Sequence, residues 1–158
     1  MPTSKIFSSS SPDGKYRAEA YATLVDGIFE SYDGIRIIRL EDEEIVWSMT
    51  PGYLMVEFLW SSDSSYLAIN YAARTYADST IVDIEKKEER PTPSMAGIAA
   101  LVGDDNKPRN SRPDPVFKIR GWEDQETIAV DFRWTTVNDD DFEGVYSFNL
   151  KTGEINLM

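Results

Sequence analysis

Residues 60–68 read Trp-Ser-Ser-Asp-Ser-Ser-Tyr-Leu-Ala, a polar turn that leads from one apolar segment into another. A related turn, Ser-Pro-Asp-Gly-Lys-Tyr, occupies residues 11–16, and a shorter version follows Trp122 with its acidic residue at Asp124. Pro, Gly, Asp and Ser favour tight turns because they preset or tolerate the backbone angles or hydrogen-bond the neighbouring backbone. The three turns therefore mark equivalent points of an internal repeat.

Short segments with the alternating apolar pattern of β-strands flank each turn. Residues 55–60 precede the second turn, and residues 128–134 follow the third. The apolar side chains that share one face of this last segment are Ile128, Val130, Phe132 and Trp134. Two more strands, joined by a tight polar turn, complete each copy. The pattern predicts an all-β fold in which three tandem, four-stranded antiparallel units cover about residues 5–49, 55–92 and 115–158 of one domain, residues 1–158.

An insertion at residues 93–114 separates the second and third copies. Ser94 is placed to cap a short helix, and Gly103 to stop it, so one helix is expected around residues 94–103. The stretch from residue 104 to residue 114 is rich in Pro, Arg and Asp. That composition predicts an exposed and mobile loop.

The residue composition argues against several classes of function. The chain of 158 residues has no Cys and no His, which excludes disulfides, thiolate chemistry and His-based triads, and removes the usual zinc ligands. The sequence also lacks a Gly-rich phosphate loop and a Gly-x-Ser-x-Gly elbow. We therefore expect a protein that is not an enzyme and that uses no metal and no cofactor.

Charge and hydropathy limit the partners. A net charge of −12 repels phosphate groups, so neither a nucleic acid nor an anionic membrane is expected as a partner. The amino-terminal residues lack the apolar core of a signal peptide, and no stretch is long enough to cross a bilayer. A soluble protein with the cytoplasm as its default location is the expectation.

Three sequence features resemble the WD40-like repeats of TolB-type β-propellers. They are the turn at residues 11–16, the Trp-Ser-x-Asp start of the second copy, and the ending Val-Tyr-Ser-Phe-Asn-Leu-Lys-Thr-Gly-Glu at residues 145–154. The copies depart from the repeat at Ser10, where a Trp is expected, and at Ser62 and Ser64, which replace Pro and Gly. The resemblance implies propeller-type blades. Propellers usually close with at least four blades, so three copies imply a homo-oligomer, an open stack or a part of a longer protein, and the first two are favoured.

The longest loops of such a repeat fall on one face, formed by residues 24–33, 50–54, 72–78, 91–114 and 135–143. Loops of this kind, carrying aromatic and charged side chains, are typical of recognition surfaces. The candidates for partner contact are Phe29, Tyr32, Tyr53, Arg74, Tyr76 and Phe142. The leading interpretation is a non-enzymatic protein-interaction or scaffolding module of β-propeller type that binds a protein partner through this loop face. Simple hairpin tips are the alternative.

Two other functions compete with this interpretation. The acidic charge suits an immunity-type inhibitor that neutralises a basic toxin or enzyme. A carbohydrate-binding domain would stack its tryptophans on sugar rings, although core packing explains Trp60, Trp122 and Trp134 better. The acidic run at residues 138–144 offers oxygen ligands for calcium, but Phe142 stands where the EF-hand spacing needs a ligand, so an acidic hairpin loop is favoured.

Overall fold

The computed structural model describes residues 3–50 and 53–158, and its strands fall into three consecutive units. Unit 1 contains β1 (Ser4–Ser10), β2 (Tyr16–Thr23), β3 (Gly34–Arg39) and β4 (Glu44–Met49). Unit 2 contains β5 (Met55–Trp60), β6 (Tyr66–Ala72), β7 (Ala77–Asp83) and β8 (Glu88–Pro91). Unit 3 contains β9 (Val116–Trp122), β10 (Thr127–Thr135), β11 (Asp141–Asn149) and β12 (Ile155–Leu157). Neighbouring strands within each unit are antiparallel, so the all-β prediction is confirmed.

The repeated polar turns share one hydrogen-bond pattern. Ser11 Oγ donates to Asp13 Oδ1 at 2.6 Å and accepts from the backbone N–H of Tyr16 at 3.0 Å. In unit 2, Ser61 Oγ likewise donates to Asp63 Oδ1 at 2.9 Å and accepts from the backbone N–H of Tyr66 at 3.0 Å. The first two polar turns thus share the same hydrogen bonds between their serine, their aspartate and the following strand.

Units 2 and 3 are joined into one eight-stranded sheet, while unit 1 forms a separate four-stranded sheet. The joint is a short parallel pairing in which Ala77 of β7 lies opposite Val116 of β9. Farther along, the buried amide of Asn70 accepts from the N–H of Ile119 at 2.8 Å and donates to its carbonyl oxygen at 2.9 Å. A side chain of β6 thus adds a second link between units 2 and 3, beside the backbone pairing of β7 with β9.

Unit 2 is buried on both of its faces, which makes it the centre of the molecule. Leu67, Ile69 and Val82 pack with Ala18 and Ala20 of unit 1. The opposite face of unit 2 and the inner face of unit 3 form a second core, whose largest fully buried members are Trp134, Tyr146, Ile81, Ile119 and Ile128. The preference for core packing over sugar stacking is confirmed for Trp134, which is 1 % exposed.

Ion pairs occupy the outer faces of units 1 and 3. Glu19 is 5 % exposed and pairs with Arg17 at 3.0 Å and with Arg36 at 2.9 Å. On unit 3, Arg120 pairs with Asp131 at 2.7 Å. Side chains alternate between the two faces of a strand, so these charges point away from unit 2. The outer faces of units 1 and 3 therefore carry paired charges.

The insertion contains the helix α1 (Met95–Ala99), which Ser94 caps by accepting from the N–H of Gly97 at 3.1 Å. The predicted cap is confirmed, but the helix ends before Gly103. Lys107 Nζ donates to the carbonyl oxygens of Ala99 at 2.9 Å and Val102 at 3.3 Å. These bonds supply partners for carbonyl groups that the end of the helix leaves free. Gly103 instead precedes a 3-10 helix, Asp104–Asn106.

The segment expected to be a mobile loop is bound to unit 3. The Thr135 backbone accepts from Arg109 N–H at 3.0 Å and donates to the Pro113 carbonyl at 2.8 Å. The Trp134 indole donates to the carbonyl oxygen of Asn106 at 2.7 Å. These partners are far apart in sequence, which is why local composition does not predict the contacts. No helix in the described part of the chain has the length and apolar composition needed to span a bilayer.

Candidate functional site

The predicted loop face is built from the connections that follow even-numbered strands. In units whose neighbouring strands run antiparallel, such connections leave each unit at the same end. The loops of units 1 and 2 are joined by a bond from the N–H of Tyr32 to the carbonyl oxygen of Tyr53 at 3.0 Å. Residues 51 and 52 of the predicted loop at 50–54 lie outside the described residues.

Three of the six predicted contact residues pack largely inward. Tyr32 is 8 % exposed, and the ring of Phe29 lies against it with centroids 4.9 Å apart. Phe142 packs on the rings of Phe132 and Trp134, each at a centroid distance of 5.8 Å. Phe29 and Tyr32 belong to the core between units 1 and 2, whereas Phe142 belongs to the core between units 2 and 3.

The other three predicted residues lie together at the open end of unit 2. Tyr53 stacks on Tyr71 with ring centroids 4.3 Å apart, and Tyr76 meets Tyr53 edge-on at 6.5 Å. The turn between β6 and β7 is closed by the Ala73 N–H, which donates to the Tyr76 carbonyl at 3.0 Å. Tyr76 is 42 % exposed, and Arg74 in the same turn is exposed as well. This group of tyrosines is the most accessible aromatic part of the predicted face.

A cleft of about 400 Å³ opens beside the tyrosines. Two strands share the edge of β7 that faces the cleft. β9 pairs with β7 at Ala77, and β8 pairs with β7 from Thr80 onward. Asp78 and Ser79 therefore line a gap between two strands that share one edge. The remaining walls come from Tyr71, Tyr76, Glu89, the segment Pro91–Met95, Pro115 and Phe117.

Carboxylates dominate the electrostatics of the cleft. Burial raises the pKa of Asp78, and the hydrogen bond from its neighbouring backbone N–H at 2.8 Å opposes this effect only in part. Glu89 Oε1 accepts a bond from Thr80 Oγ1 at 2.7 Å. Burial, with the nearby charge of Asp78, also raises the pKa of Tyr71. Among the described residues that line the cleft there is no Lys and no Arg, so the cleft is acidic.

Ser79 lines the cleft. Its side chain is buried, with the residue only 4 % exposed, and its Oγ has no hydrogen-bond partner among the described residues. Its carbonyl oxygen, in contrast, accepts from Thr92 Oγ1 at 3.2 Å. A buried hydroxyl without a partner costs free energy.

Sequence patterns do not single out four residues of this site: Tyr71, Asp78, Ser79 and Glu89. They lie in or beside strands, where alternating polar and apolar residues are ordinary. Their association depends on the pairing of β7 with β6, β8 and β9. In the acidic run at residues 138–144, Asp139 forms a salt bridge with Arg109 at 3.0 Å. Within residues 3–50 and 53–158, no cluster of three acidic side chains is arranged to hold a metal ion.

Comparison with known proteins identifies the fold. The β-propeller domain of the trilobed protease from Pyrococcus furiosus, described as having an open velcro topology, matches all of this chain and 44 % of its own length, with a TM-score of 0.56 and 18 % identity. The tricorn protease matches 95 % of this chain and 14 % of its own length, with a TM-score of 0.56 and 12 % identity. TolB from Acinetobacter baumannii matches 97 % of this chain and 32 % of its own length, with a TM-score of 0.49 and 12 % identity.

The chain therefore has a β-propeller type of fold. No protein-family model and no curated protein matches its sequence. The chain spans less than half the length of each of the three structures. Because propellers host binding, scaffolding and catalysis alike, the shared fold does not identify an activity.

Proposed function

We propose that this chain is a non-enzymatic interaction module of β-propeller type, which binds a protein partner through the loop face. The observation that carries the proposal is the group formed by Tyr53, Tyr71 and Tyr76 beside an acidic cleft. Tyrosine and arginine are enriched among the residues that contribute most to binding energy at protein interfaces. Tyr76 and Arg74 are exposed in one short turn and are its first candidates for contact.

The three units are proposed to be three blades of an open stack. Their shared turn pattern supports the identification as blades, and the ion pairs on the two outer faces favour a stack that stays open. The partly exposed guanidinium groups of Arg17 and Arg36, which pair with Glu19, would lose solvation if a second copy covered them, unless new partners compensated. Closure into a ring through a homo-oligomer is the competing arrangement.

Partner capture tests the proposed function. The chain is immobilised and exposed to an extract of its native organism, and bound proteins are identified by mass spectrometry. The double variant Arg74→Ala/Tyr76→Ala should lose the specific partner while its far-UV circular dichroism stays unchanged. Arg133→Ala is the matched control, because it removes an exposed positive charge from the outer face of unit 3. Equal capture by the double variant would refute the proposed loop-face interaction.

An acidic inhibitor of a basic toxin or enzyme is the second candidate. The acidic cleft, without a basic lining residue in the described structure, favours it together with the net charge of −12. This function predicts one cationic partner that binds rapidly at low salt and more weakly as salt is added, because salt screens charge attraction. Affinity that is insensitive to salt would argue against the inhibitor and leave the interaction module standing.

A further inference from the structure

We propose that the tip of the β2–β3 loop, residues 25–28, inserts its two apolar side chains into an apolar pocket with a basic rim on the protein partner. This inference rests on the proposed function and adds the chemistry of the contact. Val25 and Ile28 lie opposite each other at the tip and are 54 % and 63 % exposed. Burial of these two aliphatic side chains by a partner would be favourable, because it removes apolar surface from water.

The backbone holds the tip in one conformation. Val25 and Ile28 exchange two hydrogen bonds, with N···O distances of 3.0 and 2.9 Å. Asp26 and Gly27 between them both have positive φ angles, 52° and 76°, as a type I′ turn requires. A partner that binds a preformed tip orders little additional chain, so less of the binding free energy is lost to entropy.

Hydrogen bonds also fix the loop below the tip. Asp33 Oδ2 accepts from the backbone N–H and from the hydroxyl of Thr23, at 2.9 and 3.0 Å. The Leu24 N–H donates to the carbonyl oxygen of Thr3 at 3.0 Å. The sheet of unit 1 therefore supports the tip from both of its ends.

The equivalent loops of the other two units also expose large apolar side chains. Tyr76 in the β6–β7 turn is 42 % exposed, and Val137 in the β10–β11 turn is 53 % exposed. Within the described part of the chain, the turns at the opposite end of the three units expose no large apolar side chain. This repeated placement is a second and independent reason to assign the loop end to a partner, because single exposed apolar residues scattered at random would fall at both ends.

The charges around the tip favour a basic rim on the partner. The loop between β2 and β3 contains Asp26, Glu30 and Asp33 and no Lys or Arg. Asp26 and Glu30 are exposed, and no salt bridge among the described residues involves either of them. One basic group lies below the tip, where Lys5 Nζ is 4.1 Å from the centre of the Phe29 ring. Because interfaces pair opposite charges, we expect Lys or Arg side chains around the pocket of the partner.

The form of the tip favours a protein over other occupants. A small ligand needs a concave site, which an exposed turn does not offer. An anionic membrane would repel Asp26, which lies between the two apolar residues. Two tips from two copies of this chain would bring like charges together. A protein pocket of opposite charge fits both the apolar side chains and the acids.

Site-specific photo-crosslinking in an extract of the native organism tests the inference. The photoreactive residue p-benzoylphenylalanine replaces Ile28 in one variant and Ile45 in the control, an apolar residue of β4 that is 51 % exposed. Position 28 should crosslink one protein, and mass spectrometry of the crosslinked peptide should place the contact beside apolar and basic residues. No crosslinked protein at position 28, or the same protein from both positions, would overturn the inference. A crosslink to lipid or to a second copy of this chain would also overturn it.

Calorimetry with the crosslinked protein, purified by itself, measures what the tip contributes to affinity. Ile28→Asp should weaken binding at least about tenfold, because it removes apolar contact and brings a charge into the pocket. Asp26→Asn keeps a residue that tolerates a positive φ, and should weaken binding about two- to fivefold with a smaller dependence on salt.

Glu85→Gln is the matched control, since it removes an exposed carboxylate from the turn between β7 and β8 and should leave affinity unchanged. All three variants replace exposed residues, so each should keep the melting temperature of the unmodified chain. Full affinity of Ile28→Asp would overturn the inference. An unchanged salt dependence of Asp26→Asn would overturn the basic rim.

The two proposals can fail separately. If Arg74→Ala/Tyr76→Ala loses the partner while Ile28→Asp binds it fully, the loop-face module stands and the contact at the tip is wrong. If the double variant binds fully while Ile28→Asp loses the partner, the contact at Arg74 and Tyr76 is wrong and the tip remains the binding site. Each result concerns a different loop.

Discussion

The side-chain amide of Asn70 hydrogen-bonds both backbone groups of Ile119, with distances of 2.8 and 2.9 Å, and so links unit 2 to unit 3 as a strand would. Ile119 is fully buried and Asn70 is 8 % exposed, so water cannot replace the bonds easily. The second amide hydrogen reaches Glu57 at 2.8 Å. One side chain thus satisfies three polar groups at the junction.

Asn70→Ala should therefore lower the free energy of unfolding by about 3 kcal/mol, because buried backbone groups lose their partners. Urea unfolding followed by tryptophan fluorescence measures the change. Asn138→Ala, at an exposed position in the β10–β11 turn, is the control and should change the free energy by less than about 0.5 kcal/mol. A similar loss in both variants would show that the junction does not depend on the Asn70 amide.

Trp60 and Trp122 occupy the ends of β5 and β9. Replacing each of them should lower the free energy of unfolding, by a different amount. Trp122 Nε1 donates to the Leu59 carbonyl at 2.9 Å, and Trp60 Nε1 donates to the Ser9 carbonyl at 3.3 Å. Phe keeps an aromatic ring but removes the donor in both cases. Trp122→Phe should cost about 2 kcal/mol and Trp60→Phe less, because the longer bond is weaker. Thermal unfolding of the two variants gives the comparison, and the reverse order would contradict this explanation.

Gly144 predicts a steric requirement inside the aromatic core. A Cβ added there would lie 2.7 Å from the Phe132 ring, which contacts the rings of Phe117, Trp134 and Phe142. Gly144→Ala should cost about 1–3 kcal/mol, since a packed core must shift to admit the methyl group. Gly121→Ala is the control because no atom lies within 4 Å of its added Cβ. Calorimetry should show a lower unfolding temperature for Gly144→Ala, and equal values would contradict the predicted clash.

Asp78 predicts a stability that depends on pH. Burial raises its pKa above the ordinary value of 3.8, so the folded carboxyl keeps its proton to a higher pH than the unfolded one. Below the ordinary value both states are protonated, whereas at neutral pH folding must bury a charge. Asp78→Asn should raise the melting temperature near neutral pH, with a gain that shrinks on acidification.

Melting curves of the unmodified chain, Asp78→Asn and the control Glu85→Gln, recorded across pH, test this prediction. The control removes an exposed carboxylate and should leave the melting temperature nearly constant. The ionisable neighbours in the same cluster are Tyr53, Tyr71, Tyr76, Glu89 and Tyr146. A lower melting temperature for Asp78→Asn at neutral pH would show that the native carboxylate stabilises the fold.

The sequence predicts the local features of this molecule well. Asp13 and Asp63 occupy equivalent turns because a serine two residues earlier can hydrogen-bond each carboxylate. Ser94 begins the helix because its hydroxyl accepts from Gly97. In each case the interacting groups are close in the chain, so composition and spacing contain the information. The helix end is predicted less well, since Lys107, beyond the helix, satisfies its last carbonyls.

The candidate site depends on contacts between distant parts of the chain. Tyr53 and Tyr76 are predicted as exposed loop aromatics, yet Tyr32, chosen for the same reason, is buried between units 1 and 2. Loop sequences do not reveal which ring another unit will cover. Asp78 and Ser79 become cleft residues only because β8 and β9 share the edge of β7 and leave a gap there.

By itself the sequence determines repeated strands, their turns and an acidic surface, because these depend on local backbone preferences and on composition. Tertiary structure decides how units 2 and 3 join, through Ala77, Val116 and the amide of Asn70. It also brings Tyr71, Asp78 and Glu89 to one cleft. The physical reason is that burial and hydrogen-bond partners are properties of the packed chain, and a residue's own neighbours in sequence do not specify them.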